Sequence, residues 1–140
     1  MREKGSVSLW LGQASTFDAL EHYVQFEYSD DGDLLSPPFM LDFSLDRWDE
    51  DFREAGVLER PSSVIKDILR GCSYEGQIVP QFERLCGETI GFDANAVVLL
   101  YDYCYSGYIR EATGPFRLRF MGIALYVHPQ HLGSGTAGKT

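Results

Sequence analysis

Several groups of residues have the types and spacing to do chemistry. Residues 133–140 read Gly-Ser-Gly-Thr-Ala-Gly-Lys-Thr, which matches the phosphate-loop pattern letter for letter. Such a loop holds phosphate because a helix begins at its lysine and aims backbone amides at the anion. The sequence supplies no helix after Lys139, so this stretch is expected to be a flexible glycine-rich tail. His128 and His131 stand three apart, but Pro129 between them bars a helical metal pair and no third ligand is near. Asp30-Asp31-Gly32-Asp33 resembles half a calcium loop. With Gly32 at the sixth position the twelfth is Pro38, so the bidentate carboxylate is missing. Carboxylate pairs are too numerous for any one to mark an acid–base site. A nucleophile turn of the Gly-x-Ser-x-Gly kind is absent. No catalytic residue, no metal and no cofactor are expected. A carboxylate-dependent enzyme stays open as an alternative, because it needs no local signature.

What remains is charge mixed with aromatic residues. From Thr16 to Glu59 there are thirteen acidic residues against Arg47 and Arg53, a balance of −11. The whole chain carries −9, so the rest sums to +2. Two unit charges 4 Å apart near a protein surface interact by about 4 kcal/mol before desolvation. A dense acidic run can therefore steer and hold a basic partner. Trp48 sits in this run beside Asp46, Asp49, Glu50 and Asp51. Either it anchors a solvated acidic segment to the core, or it is an interface hot spot ringed by orienting charges. Further on, strict strand alternation puts Tyr101, Tyr103 and Tyr105 on one face and Asp102 on the other. These tyrosines are either half-buried core or part of the same surface. The candidate partner-binding residues are Asp30, Asp31, Asp33, Asp46, Trp48, Asp49, Glu50, Asp51 and Tyr103.

The elements that must position them follow from size and pattern. A chain of 140 residues makes one domain, expected over residues 1–132, with a core that needs no disulfide or metal. No apolar run approaches the roughly 20 residues that span a bilayer, and no secretory leader is visible. Three widely spaced cysteines suit reduced thiols in a cytoplasm. Net negative charge argues against nucleic acid and acidic membranes as partners.

A strand is expected at Ser6–Leu11, then a helix over Thr16–Tyr23 capped by Ser15, then a strand over Val24–Tyr28. A turn at Ser29–Asp33 leads to a helix with Ser36 as cap and Pro37 in its first position, burying Phe39, Met40 and Phe43. Over Ser44–Glu59 the spacing of Trp48, Phe52 and Ala55 suits a helix that Asp46 could cap and Gly56 could end. Further helices are expected to open at Pro61-Ser62-Ser63, ended by Gly71, and at Pro80, ended by Gly87. Asn95–Tyr105 is the strongest strand, apolar enough for burial on both faces. Phe116–Val127 is the second long strand, expected as its antiparallel neighbour. The fold class is α+β: a single domain with a mostly antiparallel sheet and helices packed on one face.

An ordered set of short motifs resembles the immunity protein 22 family of bacterial polymorphic toxin systems. The motifs are Trp10-Leu11-Gly12, Tyr23-Val24, Asp31-Gly32-Asp33, Phe39-Met40-Leu41-Asp42-Phe43, Asp49-Glu50-Asp51-Phe52, Ser73-Tyr74 and Leu99-Leu100-Tyr101-Asp102-Tyr103. The resemblance covers about residues 8 to 127. It implies a cytoplasmic antitoxin that binds the C-terminal domain of a cognate toxin, often a nuclease, as one monomer in a heterodimer. It carries over no catalytic residue. A small acidic adaptor or regulator that binds another basic protein would need the same surface.

Overall fold

The central strand decides the architecture. In the computed structural model, which describes residues 1–113 and 117–127, strand β1 (Arg2–Gln13) runs through the middle of a five-stranded sheet. The chain then forms α1 (Phe17–Val24), a small hairpin of β2 (Glu27–Tyr28) and β3 (Leu34–Leu35), and α2 (Pro38–Phe43). A single 3-10 turn (Glu50–Phe52) leads into β4 (Arg53–Val64). One helical turn, α3 (Ile65–Ile68), precedes α4 (Glu75–Cys86), the long β5 (Thr89–Tyr103), the short β6 (Glu111–Ala112) and β7 (Arg117–Leu125). The sheet order is β4-β5-β1-β7-β6, with every pairing antiparallel.

The α+β class and the antiparallel sheet agree with the sequence reading. The helices, expected on one face, divide between two. Alternation along β1 sends Val7, Leu9 and Leu11 to one side, where Ile65, Ile68, Ile78 and Phe82 cover them. It sends Trp10 to the other, under Leu20 and Val24 of α1 and Phe39 and Phe43 of α2. A sheet whose middle strands are apolar on both faces must be covered on both.

The two long C-terminal strands are not neighbours. β1 lies between them, with Trp10 opposite Val98 on one side and Phe120 on the other. Nor do the three tyrosines share a face. Asp102 adopts a left-handed conformation, φ 56°, and breaks the alternation. Tyr101 joins the α3–α4 side, while Tyr103 and Tyr105 join the α1–α2 side. The Asp102 carboxylate accepts the Gly5 amide at 2.8 Å and the Tyr126 hydroxyl at 2.5 Å, which fixes this irregularity.

The possible helix over Ser44–Glu59 is overturned. Arg53–Val57 is a strand paired with Ala96–Leu100 of β5, and Asp49, not Asp46, caps the preceding turn through the Asp51 amide. Sheet hydrogen bonds and burial beside β5 outweigh a helical spacing set by three residues. Pro61 does not open a helix. It lies exposed in β4, an edge strand, where a missing N–H costs no ladder bond. Pro80 does not start a helix either, but sits inside α4. An interior proline costs about 3 kcal/mol. Burying Ile78, Val79 and Phe82 returns about 1.5–3 kcal/mol each, so the helix persists.

Smaller differences concern ends. Thr16, rather than Ser15, caps α1 through the Ala19 amide. Pro37 is the residue before α2 and Pro38 its first position, so Ser36 caps nothing. The strand expected at Val24–Tyr28 reduces to Glu27–Tyr28, because Val24 completes α1. Phe116, His128, His131 and the tail 133–140 lie outside the described residues.

Gly12 marks the tightest place in the sheet. A Cβ there would lie 1.9 Å from the Arg117 carbonyl oxygen and 2.8 Å from Leu118 Cα. Both obstacles are backbone, which cannot swing aside as a side chain does. Gly12→Ala should therefore destabilise the domain by about 3 kcal/mol or more, the upper range for overpacking. Urea denaturation measures it. Gly56→Ala, where nothing lies within 4 Å of the added carbon, should stay within about 1 kcal/mol by the same measurement.

Candidate functional site

Trp10 gathers the aromatic side chains that carry the acidic segment. Its ring lies 4.9 Å from Phe39 and 5.9 Å from Phe43, and Phe39 in turn lies 5.5 Å from Trp48. Trp48 is 2% exposed and also meets Phe26, at 4.8 Å. The core-anchor reading of Trp48 therefore holds in this fold, and its ring is not offered to a partner. Tyr103, 1% exposed, is likewise interior. Its hydroxyl donates to the Asp46 carboxylate at 2.5 Å and lies 3.0 Å from the Asp46 carbonyl. Both residues position the segment rather than cover it.

Of the remaining candidates, some acids are engaged within the protein and some are not. Glu50 accepts the Phe26 amide at 3.0 Å and the Arg53 guanidinium at 2.8 Å. Glu21 accepts the same guanidinium at 2.9 Å. Burial alone would lower the Arg53 pKa, but its bonds to Glu50 and Glu21 outweigh this and raise it. Asp49 is occupied with the Asp51 amide at 2.9 Å. Asp30, Asp31 and Asp33 project from the exposed β2–β3 turn, and Asp51 from the 3-10 turn. No described residue donates a hydrogen bond to any of these four carboxylates.

The two acidic places are joined at their base. Phe26 immediately precedes β2, packs on Trp48, lies 5.4 Å under the Arg47 guanidinium and bonds Glu50 through its amide. The turn at Asp30–Asp33 and the run Asp46–Asp51 thus rise from one mounting. The sequence reading missed two apolar groups beside them. Tyr28 on the hairpin is 67% exposed and Phe52 on the 3-10 turn is 40% exposed. The helical spacing had placed Phe52 inward. Only the observed strand, which starts at Arg53, turns it out. The Glu21–Arg53–Glu50 bridge had no sequence signal, since Glu21 and Arg53 are 32 positions apart.

A cleft of about 600 Å³ runs beside β4 and is lined by Glu21, Glu54 and Asp67 among others. Each of these carboxylates has its own protein partner. Arg53 holds Glu21, Arg70 holds Asp67, and Ser73 and Tyr101 hold Glu54. Cys72 lines the same cleft, but burial and then Glu54 push its thiol up to about 11, so it is protonated at neutral pH. No group of three or more His, Cys, Asp and Glu among the described residues is arranged to hold a metal ion. No helix among them is long and apolar enough to cross a membrane.

Asp46 links this site to pH. Burial works against its charge, but the Met1 amino group at 2.7 Å and the Tyr103 hydroxyl outweigh it and hold its pKa below the ordinary 3.8. A depressed carboxylate contributes stability that is present above the unfolded pKa and lost as pH falls through the folded one. Tyr103→Phe should therefore cost about 1 kcal/mol at pH 7, the net worth of one such bond. The difference from wild type should begin to narrow as pH falls below about 3.8, the ordinary carboxylate value, and should vanish once pH has passed through the lower folded pKa of Asp46. Parallel urea titrations at pH 7 and pH 3 measure both.

A family model described as Immunity protein 22 matches residues 7–126 of the chain. No curated protein and no solved structure matches it.

Proposed function

The chain belongs to the immunity protein 22 family and so has the role of an immunity protein, and on that premise we propose that it neutralises a nuclease toxin domain by binding over it. The observation that carries this mode of action is the pair of unengaged acidic groups, Asp30–Asp33 and Asp51, mounted together on Phe26 and Trp48. A nuclease holds phosphate in a basic cleft, and salt controls how strongly it does so. Carboxylates held on a rigid base can lie where phosphates would. Tyr28 and Phe52 beside them supply the exposed aromatic contacts that such an interface concentrates its energy in. Asp46, Trp48, Asp49, Glu50 and Tyr103 act from beneath by holding the segment in place. Inhibition is occlusion, with no chemistry, no cofactor and no metal from this chain. The complex is one copy of each protein, formed in the cytoplasm of the producing cell.

Charge of this kind acts first on the rate of encounter. The test uses the toxin domain encoded by the adjacent gene. Replacing Asp30, Asp31, Asp33 and Asp51 together by lysine should lower the association rate by about 10-fold or more at low salt. The salt dependence of that rate should flatten, because screening would have less attraction to remove. Surface plasmon resonance across an ionic-strength series reads both, and co-expression reads protection. A folded quadruple variant that associates as fast as wild type and still protects would place the binding face elsewhere. A wild-type protein that neither binds nor protects against this domain would overturn the choice of partner.

A further inference from the structure

Among the described residues strand β4 is an edge strand, hydrogen-bonded to β5 and to no other strand. Natural edge strands are protected from pairing by charges, prolines and bulges. β4 carries these devices on either side of one short run. Arg53 and Glu54 open it. Glu59, Arg60 and Pro61 follow its middle, and its pairing with β5 slips between Val57 and Ser62. The four residues between, Ala55-Gly56-Val57-Leu58, carry no charge and no proline. No described residue outside β5 makes a backbone hydrogen bond to them. They are half-buried and line the 600 Å³ cleft together with Val97, Leu99, Glu21 and Asp67. That volume lies in the range of sites that accept side chains or small ligands.

Gly56 keeps the cleft open. A Cβ at that position would meet nothing within 4 Å, and its φ is not in the left-handed region, so the backbone does not require glycine there. What a larger residue would remove is the space. The rim also has a sign. Glu21 and Glu50 share one guanidinium, Arg53, which leaves one negative charge. Among the described residues Glu54 has only the neutral groups of Ser73 and Tyr101 as hydrogen-bond partners, which leaves a second. Asp67 and Arg70 cancel. The cleft thus offers an unpaired strand edge with two uncompensated carboxylates beside it.

We infer that Ala55–Leu58 of β4 accepts an extended segment of the toxin domain as an added strand, with a lysine or arginine of that segment reaching the carboxylates of Glu54 and the Glu21–Arg53–Glu50 group. This rests on the proposed function for the identity of the partner. Added strands draw affinity from main-chain bonds and selectivity from the side-chain pockets they cross. The cleft supplies such a pocket at Gly56. Division of labour follows: the acidic turn and loop attract the toxin, and the strand edge retains it.

The complex with the toxin domain of the adjacent gene tests this by amide hydrogen exchange and by one variant. In the unaltered complex the amides of residues 55–58 should become protected relative to the free protein. Gly56→Trp should weaken binding by about 100-fold, mostly through faster dissociation, while melting at the wild-type temperature. Unprotected amides, or a Gly56→Trp protein that binds as wild type, overturn the strand edge as the contact and leave the immunity role standing. The exchange measurement needs no variant, so it decides even if Gly56→Trp folds poorly. A free protein that is a dimer, dispersed by Gly56→Trp, would give the edge to a second copy and overturn the inference. If wild type forms no complex with the toxin domain, the proposed function fails and this contact fails with it.

Discussion

The packing of Trp10 is the constraint on which the rest of the structure depends. Trp10 is fully buried in the central strand, within 6 Å of the rings of Phe39, Phe43, Tyr105 and Phe120. Aromatic pairs of this kind contribute about 0.5–1.5 kcal/mol each beyond the area they bury. Four such pairs on one ring amount to several kcal/mol, a large share of a stability that totals only about 5–15 kcal/mol. They gather α2, Tyr105 just beyond the end of β5, and Phe120 of β7 on one face of the sheet around β1. The opposite face of that strand, with Val7, Leu9 and Leu11, then needs its own cover, and α3 and α4 supply it. Gly12, two residues after Trp10, lets β7 come close enough to complete the arrangement.

The same packing organises the charge. Phe39, Phe43, Leu45 and Trp48 hold the acidic segment to the core at short intervals, so Ser44, Asp46 and Arg47 between them are displayed outward. Many carboxylates there serve internal contacts. Asp42 accepts the Tyr23 hydroxyl, Asp46 the Tyr103 hydroxyl, and Glu21 and Glu50 the Arg53 guanidinium. A balance of −11 over the segment thus overstates the charge available to a partner. What is left over is concentrated at the β2–β3 turn and the 3-10 turn. Their carboxylates accept no hydrogen bond from a described residue, which is why they carry the functional reading better than Glu50 or Asp46.

Parts of this were legible from residue order because they depend on neighbours in the chain. The apolar run in Asn95–Tyr105 has the pattern of a strand buried on both sides, and it is one. The Asp30–Asp33 segment has turn chemistry, and it is a turn. Phe39 and Phe43 are four apart and face inward together. The ordered motifs resembled the immunity protein 22 family, to which the chain belongs. Local spacing misled where a distant strand competed for the same residues. Trp48, Phe52 and Ala55 fit a helix in isolation, but β5 offered Ala55 a strand partner in Val98. The result buries Trp48 and exposes Phe52.

By itself the sequence determined composition, the concentration of acid between Thr16 and Glu59, the strongest strands and the family. Those properties reside in residue types and short spacings. Only the tertiary structure decided that β1 separates β5 from β7, that helices cover both faces, and that Tyr101 faces away from Tyr103. It also decided which carboxylates are engaged and which edge of the sheet is open. Each of these depends on contacts between residues far apart in the chain, such as Gly5 with Asp102 and Glu21 with Arg53. A periodicity reports which way a side chain points along its own element. It carries no information about which element arrives on the other side.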